Sequence, residues 1–251
     1  MEYKAKKRLG FCLYFIVCLI IIKVVRVKSE DADSSSIASL GQHVERTDTM
    51  GLIIQIPSYH NIDLRCGNMP QVSEKDVILF AEASYTAAPL ENEFKHSKIA
   101  SDHVSLGTRY KGYKCRENTG LFMYYANKWR FCYNDYNPEL DSAAKHDGTA
   151  FAQEMMIHKG DIKPTAKKDG NVNTFRALCE LNERLCIIES SGSIRFGDFK
   201  TKLMELGVSE AIYLDMGSGW NYAWYRVNDE TIVELHPKVH DYCTNWITFY
   251  K

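Results

Sequence analysis

Apolar residues fall in short runs separated by turn-forming polar residues, the spacing expected of strands joined by tight turns. Residues 52–56 alternate into Pro57, and 77–81 form a second compact run, Val77-Ile78-Leu79-Phe80-Ala81, short enough for a buried strand. Two hairpins follow from turn chemistry. Aromatic-rich strands at 121–125 and 129–133 flank Ala126-Asn127-Lys128, and strands at 175–180 and 184–189 flank Asn182-Glu183. If Asn182 and Glu183 are the turn, Cys179 lies directly opposite Cys186, where a cross-strand bridge can form but is not required. Asn137-Pro138 opens a short helix that runs to Lys145 and stops by Gly148. After strand 185–189 a second helix is predicted near 196–206, with Phe196, Phe199, Leu203 and Leu206 on one face and Gly207 at its end. Strand 211–215 completes a β, α, β order, and a last hairpin before His236-Pro237 leads to strand 246–250. The expected fold class is α+β: a mixed twisted sheet with several hairpins and a few short helices in one domain.

The first apolar run has a different character. Phe11 to Ile22 is unbroken, and residues 1–28 carry seven basic residues beside one acid, Glu2. A basic start before an apolar run is the order of an export signal. The run is short for a membrane span, which needs about 20 residues, yet Lys23 and Arg26 can snorkel and extend it to Val27. Residues 1–28 are expected to be a signal peptide or a signal anchor. The anchor is slightly favoured because no small-x-small site follows promptly, Ser36-Ile37-Ala38 lying far downstream. Membrane contact would run through residues 11–27, with the domain outside the cytoplasm, in the periplasm or cell envelope. Residues 29–48, with Ser34-Ser35-Ser36 among acids, form a polar linker, and 49–251 the folded domain.

Charge changes the picture once this segment is set apart. The chain of 251 residues has 31 Lys+Arg against 32 Asp+Glu, a formal charge of -1. Beyond residue 28 there remain 24 basic residues against 31 acids, a charge of -7. An acidic domain lacks the basic face that phosphate-backbone binding needs, so nucleic acid is not an expected partner. Six cysteines remain in the domain: Cys66, Cys115, Cys132, Cys179, Cys186 and Cys243. Export permits disulfides, and buried thiols are the equal alternative. The chain has no Cys-x-x-Cys and no His-Glu-x-x-His, so no metal ligand set and no cofactor are expected; acids near a glycine loop leave a divalent cation open.

Candidate chemistry is scattered through these elements. Glu82 ends an apolar strand, and Asp102-His103 offers an acid beside an imidazole. Gln153 and Glu154 interrupt an apolar stretch. Arg176 sits within a strand, where it must pair with a carboxylate such as Asp215 or Glu82, bind an anion, or reach solvent. Asp215 heads a loop, Met216-Gly217-Ser218-Gly219-Trp220-Asn221, whose glycines let backbone N–H groups approach a ligand; Asp215 as a turn cap is the plain alternative. Trp220, Tyr222, Trp224 and Tyr225 suit either sugar stacking or a core.

The order Phe80-Ala81-Glu82-Ala83-Ser84-Tyr85, Ala152-Gln153-Glu154-Met155, Phe175-Arg176-Ala177-Leu178-Cys179 and Leu214-Asp215-Met216-Gly217-Ser218-Gly219 resembles the phosphodiester glycosidase family. The likeness covers roughly residues 50–251. Asp102-His103-Val104-Ser105 and the ending Cys243-Thr244-Asn245-Trp246-Ile247-Thr248-Phe249-Tyr250 look like a Bacteroides-type exported branch. The resemblance implies that Arg176 and Asp215 line the active pocket, with Glu82 where the family has Asn and with Gln153 nearby. Glu82 for an amide, Met216 for a glycine and Ala177 for a threonine depart from the family pattern.

These features predict an exported hydrolase that cleaves a glycosidic or sugar-phosphodiester bond in an envelope or extracellular glycan. Glu82, Asp215 and Arg176 would be catalytic, with Arg176 holding an anionic group. Gln153, Glu154, His103, Gly217, Ser218, Gly219, Trp220 and Asn221 would bind substrate. The competing expectations are a catalytically inactive glycan-binding domain of the same fold and a structural envelope protein without a ligand.

Overall fold

A computed structural model describes residues 41–86, 99–112, 119–134, 137–217, 221–237 and 243–251. Residues 1–28, expected to be a signal peptide or signal anchor, therefore lie outside the described residues, as do Cys115, Ser218, Gly219 and Trp220. No helix among the described residues is long and apolar enough to cross a membrane.

The strands of the first half are β1 (Val44–Thr49), β2 (Leu52–Pro57), β3 (Asn61–Cys66), β4 (Val77–Glu82), β5 (His103–Ser105), β6 (Thr108–Tyr110), β7 (Thr119–Tyr125) and β8 (Lys128–Tyr133). Helix α1 (Asn137–Lys145) follows, then β9 (Thr149–His158), β10 (Asp161–Ile162), β11 (Val172–Asn173), β12 (Arg176–Leu181), β13 (Arg184–Ser190) and β14 (Ile194–Arg195). Helix α2 (Phe196–Glu205) leads to β15 (Glu210–Leu214), β16 (Ala223–Arg226), β17 (Ile232–Leu235) and β18 (Asn245–Tyr250).

This corrects the α+β expectation. The fold is mostly β, with 51% of the described residues in strands and two helices of 9 and 10 residues. Nor are the sheets mixed, because every strand pairing among the described residues is antiparallel. The β, α, β segment is present as β13, α2 and β15, but β12 lies between the two strands and runs antiparallel to both. The helical crossover thus spans a strand instead of creating a parallel pair. The polar linker is also shorter than expected, since β1 begins at Val44 and pairs with β2. One residue of β1 is buried, so it carries no apolar alternation to betray a strand.

Eleven strands form one sheet in the order β1-β2-β13-β12-β15-β9-β5-β6, with β7, β8 and β10 joined through β9. A second sheet has the order β17-β16-β4-β18-β3. Ile62, Leu64, Leu79, Ile247 and Phe249 of the second sheet pack with Leu178, Ile187, Ile212 and Leu214 of the first in one buried cluster. On another face of the large sheet, Phe196, Phe199 and Leu203 of α2 cover Ile54, Ala177, Cys179 and Ile188. Both predicted hairpins are present, with positive φ at Ala126 and Asn127 and at Asn182 and Glu183, as a two-residue type I′ turn requires; the first turn is one residue shorter than expected, because Lys128 opens β8 opposite Tyr125. Cys179 faces Cys186 as the turn dictates, and these two are free thiols.

Candidate active site

Strand β4 is buried at all six positions and delivers Glu82 at its end, where the second sheet meets the first. Asp215 follows β15 directly, and its backbone N–H donates to the Ala83 carbonyl at 3.1 Å. That bond ties the end of the β15 edge to the end of β4. The placement of Asp215 therefore comes from the joining of two antiparallel sheets.

Glu82 is fully buried. Its Oε1 accepts from the Thr86 hydroxyl at 3.3 Å, the Thr244 N–H at 3.3 Å and the Asn245 amide at 3.2 Å. Burial, then the neighbouring Asp215 charge, holds its carboxyl well above the ordinary carboxylate range against these donors. Asp215 is 7% exposed. Burial pushes it up to about 6, while the Lys167 ammonium and the N–H groups of Thr86, Met216 and Gly217 pull it back. The two carboxyls repel each other, so they titrate as a coupled pair with Glu82 the more reluctant to ionise.

Arg176 does not meet either of them as an ion-pair partner. It is buried beside Glu189, with Nε and Nη2 donating to Glu189 Oε2 at 2.8 and 2.6 Å. The other Glu189 oxygen lies 2.6 Å from His236 Nε2. Burial would raise Glu189, but Arg176 and His236 outweigh it and bring its carboxyl below the ordinary value. The guanidinium expected to hold an anion is thus already neutralised. Glu189 carries no local signal of its own in the sequence, although the Asn182-Glu183 turn that sets Cys179 against Cys186 also sets Arg176 against Glu189.

Other expected site residues divide. Asn221 belongs to the Arg176 group, its carbonyl accepting from Nη2 at 3.0 Å. Gly217 offers its N–H to Asp215. Glu154 accepts from the Tyr85 hydroxyl at 2.8 Å and the Lys167 N–H at 2.9 Å. It thereby anchors Lys167, whose ammonium lies 4.8 Å from the Tyr213 ring centroid. Lys167 is the cation that acts on Asp215, and nothing in its local sequence marks it. Gln153 is buried, and its Oε1 accepts from the Glu154 N–H at 2.9 Å. His103 lies within β5, 2.9 Å from the Ser101 carbonyl and stacked on Tyr110, while Asp102 accepts from the Gly112 N–H. Asp102 and His103 therefore each have partners other than one another. Trp224 and Tyr222 pack on Phe80, so this part of the aromatic cluster serves as core.

Among the described residues, the buried atoms Glu82 Oε2, Arg176 Nη1 and Asn221 Oδ1 find no hydrogen-bond partner. Gln153 Nε2 is a fourth orphan, on β9. Leaving such a group buried and unpaired costs about 1–3 kcal/mol. No group of three or more His, Cys, Asp or Glu among the described residues is arranged to hold a metal ion.

No family model matches the chain, and no curated protein sequence matches it. Its structure is similar to that of the zebrafish N-acetylglucosamine-1-phosphodiester alpha-N-acetylglucosaminidase catalytic domain, auto-inhibited by its pro-peptide. The TM-score is 0.55 and the identity 11%, over 83% of this chain and 81% of that one. A hypothetical protein from Synechocystis gives a TM-score of 0.51 and 9% identity, over 83% of this chain and 61% of that one. At such identities the likeness is one of fold.

Proposed function

We propose that the protein is a hydrolase of the phosphodiester glycosidase kind, cleaving a glycosidic or sugar-phosphodiester bond in a glycan outside the cytoplasm. The observation that carries this is the buried Glu82–Asp215 pair, set beside unpaired Glu82 Oε2, Arg176 Nη1 and Asn221 Oδ1. Two carboxyls held at different affinities for a proton supply an acid and a base at one pH. Glu82, held reluctant to ionise by burial, would be the acid that donates to the leaving oxygen, while Asp215, the readier of the two to ionise, would take a proton from the attacking water. Sugar hydroxyls, each donor and acceptor, match the orphaned carboxyl, guanidinium and amide atoms. The fold shared with the zebrafish enzyme domain supports the same class of substrate. Residues 1–28 would carry the domain to the periplasm or envelope and tether it there.

A second possibility draws on Arg176. Its neutralisation by Glu189 leaves Lys167 as the cation near Asp215, a weak provision for a phosphodiester and adequate for a neutral glycan held without turnover. The purified protein is to be assayed on aryl-glycoside and sugar-phosphodiester substrates beside Glu82→Gln and Asp215→Asn. Turnover by the parent and its loss by at least about a hundredfold in each variant, the scale of one acid or base, are expected. Equal turnover in all three would remove the assignment, and binding without turnover in the parent would favour the idle glycan-binding domain.

A further inference from the structure

At the turn end of the β12–β13 hairpin a concavity opens, with a volume of about 300 Å³. It is walled by Trp129 from β8 and Tyr59 from the β2–β3 connection, floored by Pro57, and rimmed by Ser58, Glu183 and Arg184. From Glu183 to Glu189 the chain runs six residues along β13, about 20 Å at the antiparallel rise. This hollow and the Glu82–Asp215 site therefore lie at opposite ends of one hairpin.

Its walls are held firmly. Tyr59 packs edge-on against Phe249 at 5.4 Å and Tyr124 at 6.4 Å, and Trp129 packs against Phe131 at 6.0 Å. Burial raises the Tyr59 hydroxyl to about 12, so it remains a protonated donor at neutral pH. Arg184 is engaged by both oxygens of Glu45 at 3.0 Å, which cancels its charge and removes the main attraction for an anion. What remains is a fixed, half-buried indole and phenol beside a serine hydroxyl and a turn carboxylate. An uncharged ring with one flat C–H face and a rim of hydroxyls matches that combination of surfaces, and the volume is at the small end of ligand pockets.

We propose that this hollow is a secondary glycan-binding subsite, in which one sugar ring of a chain stacks on Trp129 while Glu183 and Ser58 accept and donate to its hydroxyls. The subsite rests on the proposed function only in taking the ligand to be a glycan. It would hold a polymer near the enzyme, so that long substrates gain from a second attachment and short ones do not.

Calorimetric titration of the purified protein with glucose and N-acetylglucosamine tetrasaccharides tests this. The variants are Trp129→Ala, Trp129→Phe and Asp215→Asn. A saturable site that survives Asp215→Asn, weakens about tenfold or more in Trp129→Ala, the scale of an aromatic hot spot, and largely persists in Trp129→Phe is expected. Equal melting temperatures for the Trp129 variants exclude misfolding as the cause. Absence of saturable binding by both sugars, or binding unchanged in Trp129→Ala, would overturn the proposal. Binding lost in Asp215→Asn but not in Trp129→Ala would sink the subsite while leaving the active-site assignment standing. Loss of all turnover assignments with Trp129-dependent binding intact would do the reverse.

Discussion

Substituting Asp215 by Asn removes one charge from a position 7% exposed and keeps its shape. In the folded protein the Asp215 carboxyl is lifted from 3.8 to about 6, chiefly by burial. The native state therefore holds this proton more tightly than the unfolded chain. The resulting stabilisation is complete below pH 3.8 and is lost as pH rises through about 6, a loss of about 3 kcal/mol at 1.36 kcal/mol for each pH unit of displacement. The amide cannot ionise, and it also relieves Glu82 of a neighbouring charge, so both effects favour the variant at high pH. Against this, one acceptor oxygen is lost among the N–H groups of Thr86, Met216 and Gly217, at about 1 kcal/mol. Asp215→Asn should consequently be the less stable protein at pH 4 and the more stable at pH 8. Urea unfolding of both proteins at half-unit pH steps gives the difference directly, with the other titrating groups cancelling. The variant-minus-parent stability must climb by about 3 kcal/mol between pH 4 and pH 8, within a factor of two. A flat difference would show that Asp215 is not buried as a reluctant carboxylate, and an opposite slope would show that it is stabilised by a cation; either result refutes the acid–base assignment.

Glu189→Gln should destabilise the fold by about 3–5 kcal/mol, because it strips the counter-charge from a guanidinium with no solvent contact. Chemical denaturation of Glu189→Gln beside the double variant Arg176→Met with Glu189→Leu checks this, since the double variant should recover much of the loss; equal losses would mean that the pair is not an isolated buried charge couple. Deleting residues 245–251 removes β18, which lies between β3 and β4 and buries Trp246, Ile247 and Phe249. With each large core side chain contributing about 3–5 kcal/mol, the truncated chain should fail to fold, and a cooperative thermal transition in circular dichroism would contradict that expectation.

The elements that could be read from sequence are those whose information is local. The Asn182-Glu183 and Ala126-Asn127 turns, the Asn137-Pro138 helix start and the Gly207 helix stop all occur where their backbone preferences put them. Strand β3 was not read from the sequence: Ile62 and Leu64 alternate with Asn61, Asp63 and Arg65, but two apolar positions among polar ones make too short a period to stand out. Strand β1 was not legible, because an edge strand with one buried side chain has no apolar period.

The site divides along the same line. The sequence by itself determined the hairpin register, and with it the facing of Arg176 and Glu189, because a two-residue turn admits one pairing. It also determined that Glu82 and Asp215 end apolar strands. Only the tertiary structure decided that the ends of β4 and β15 meet, that Lys167 approaches Asp215 across the Tyr213 ring, and that the two helices cover sheets without parallel pairs. A turn is fixed by the backbone preferences of adjacent residues. The proton affinity of Glu82 and Asp215 is fixed by which distant groups exclude water from them, and that depends on how two sheets close over one another.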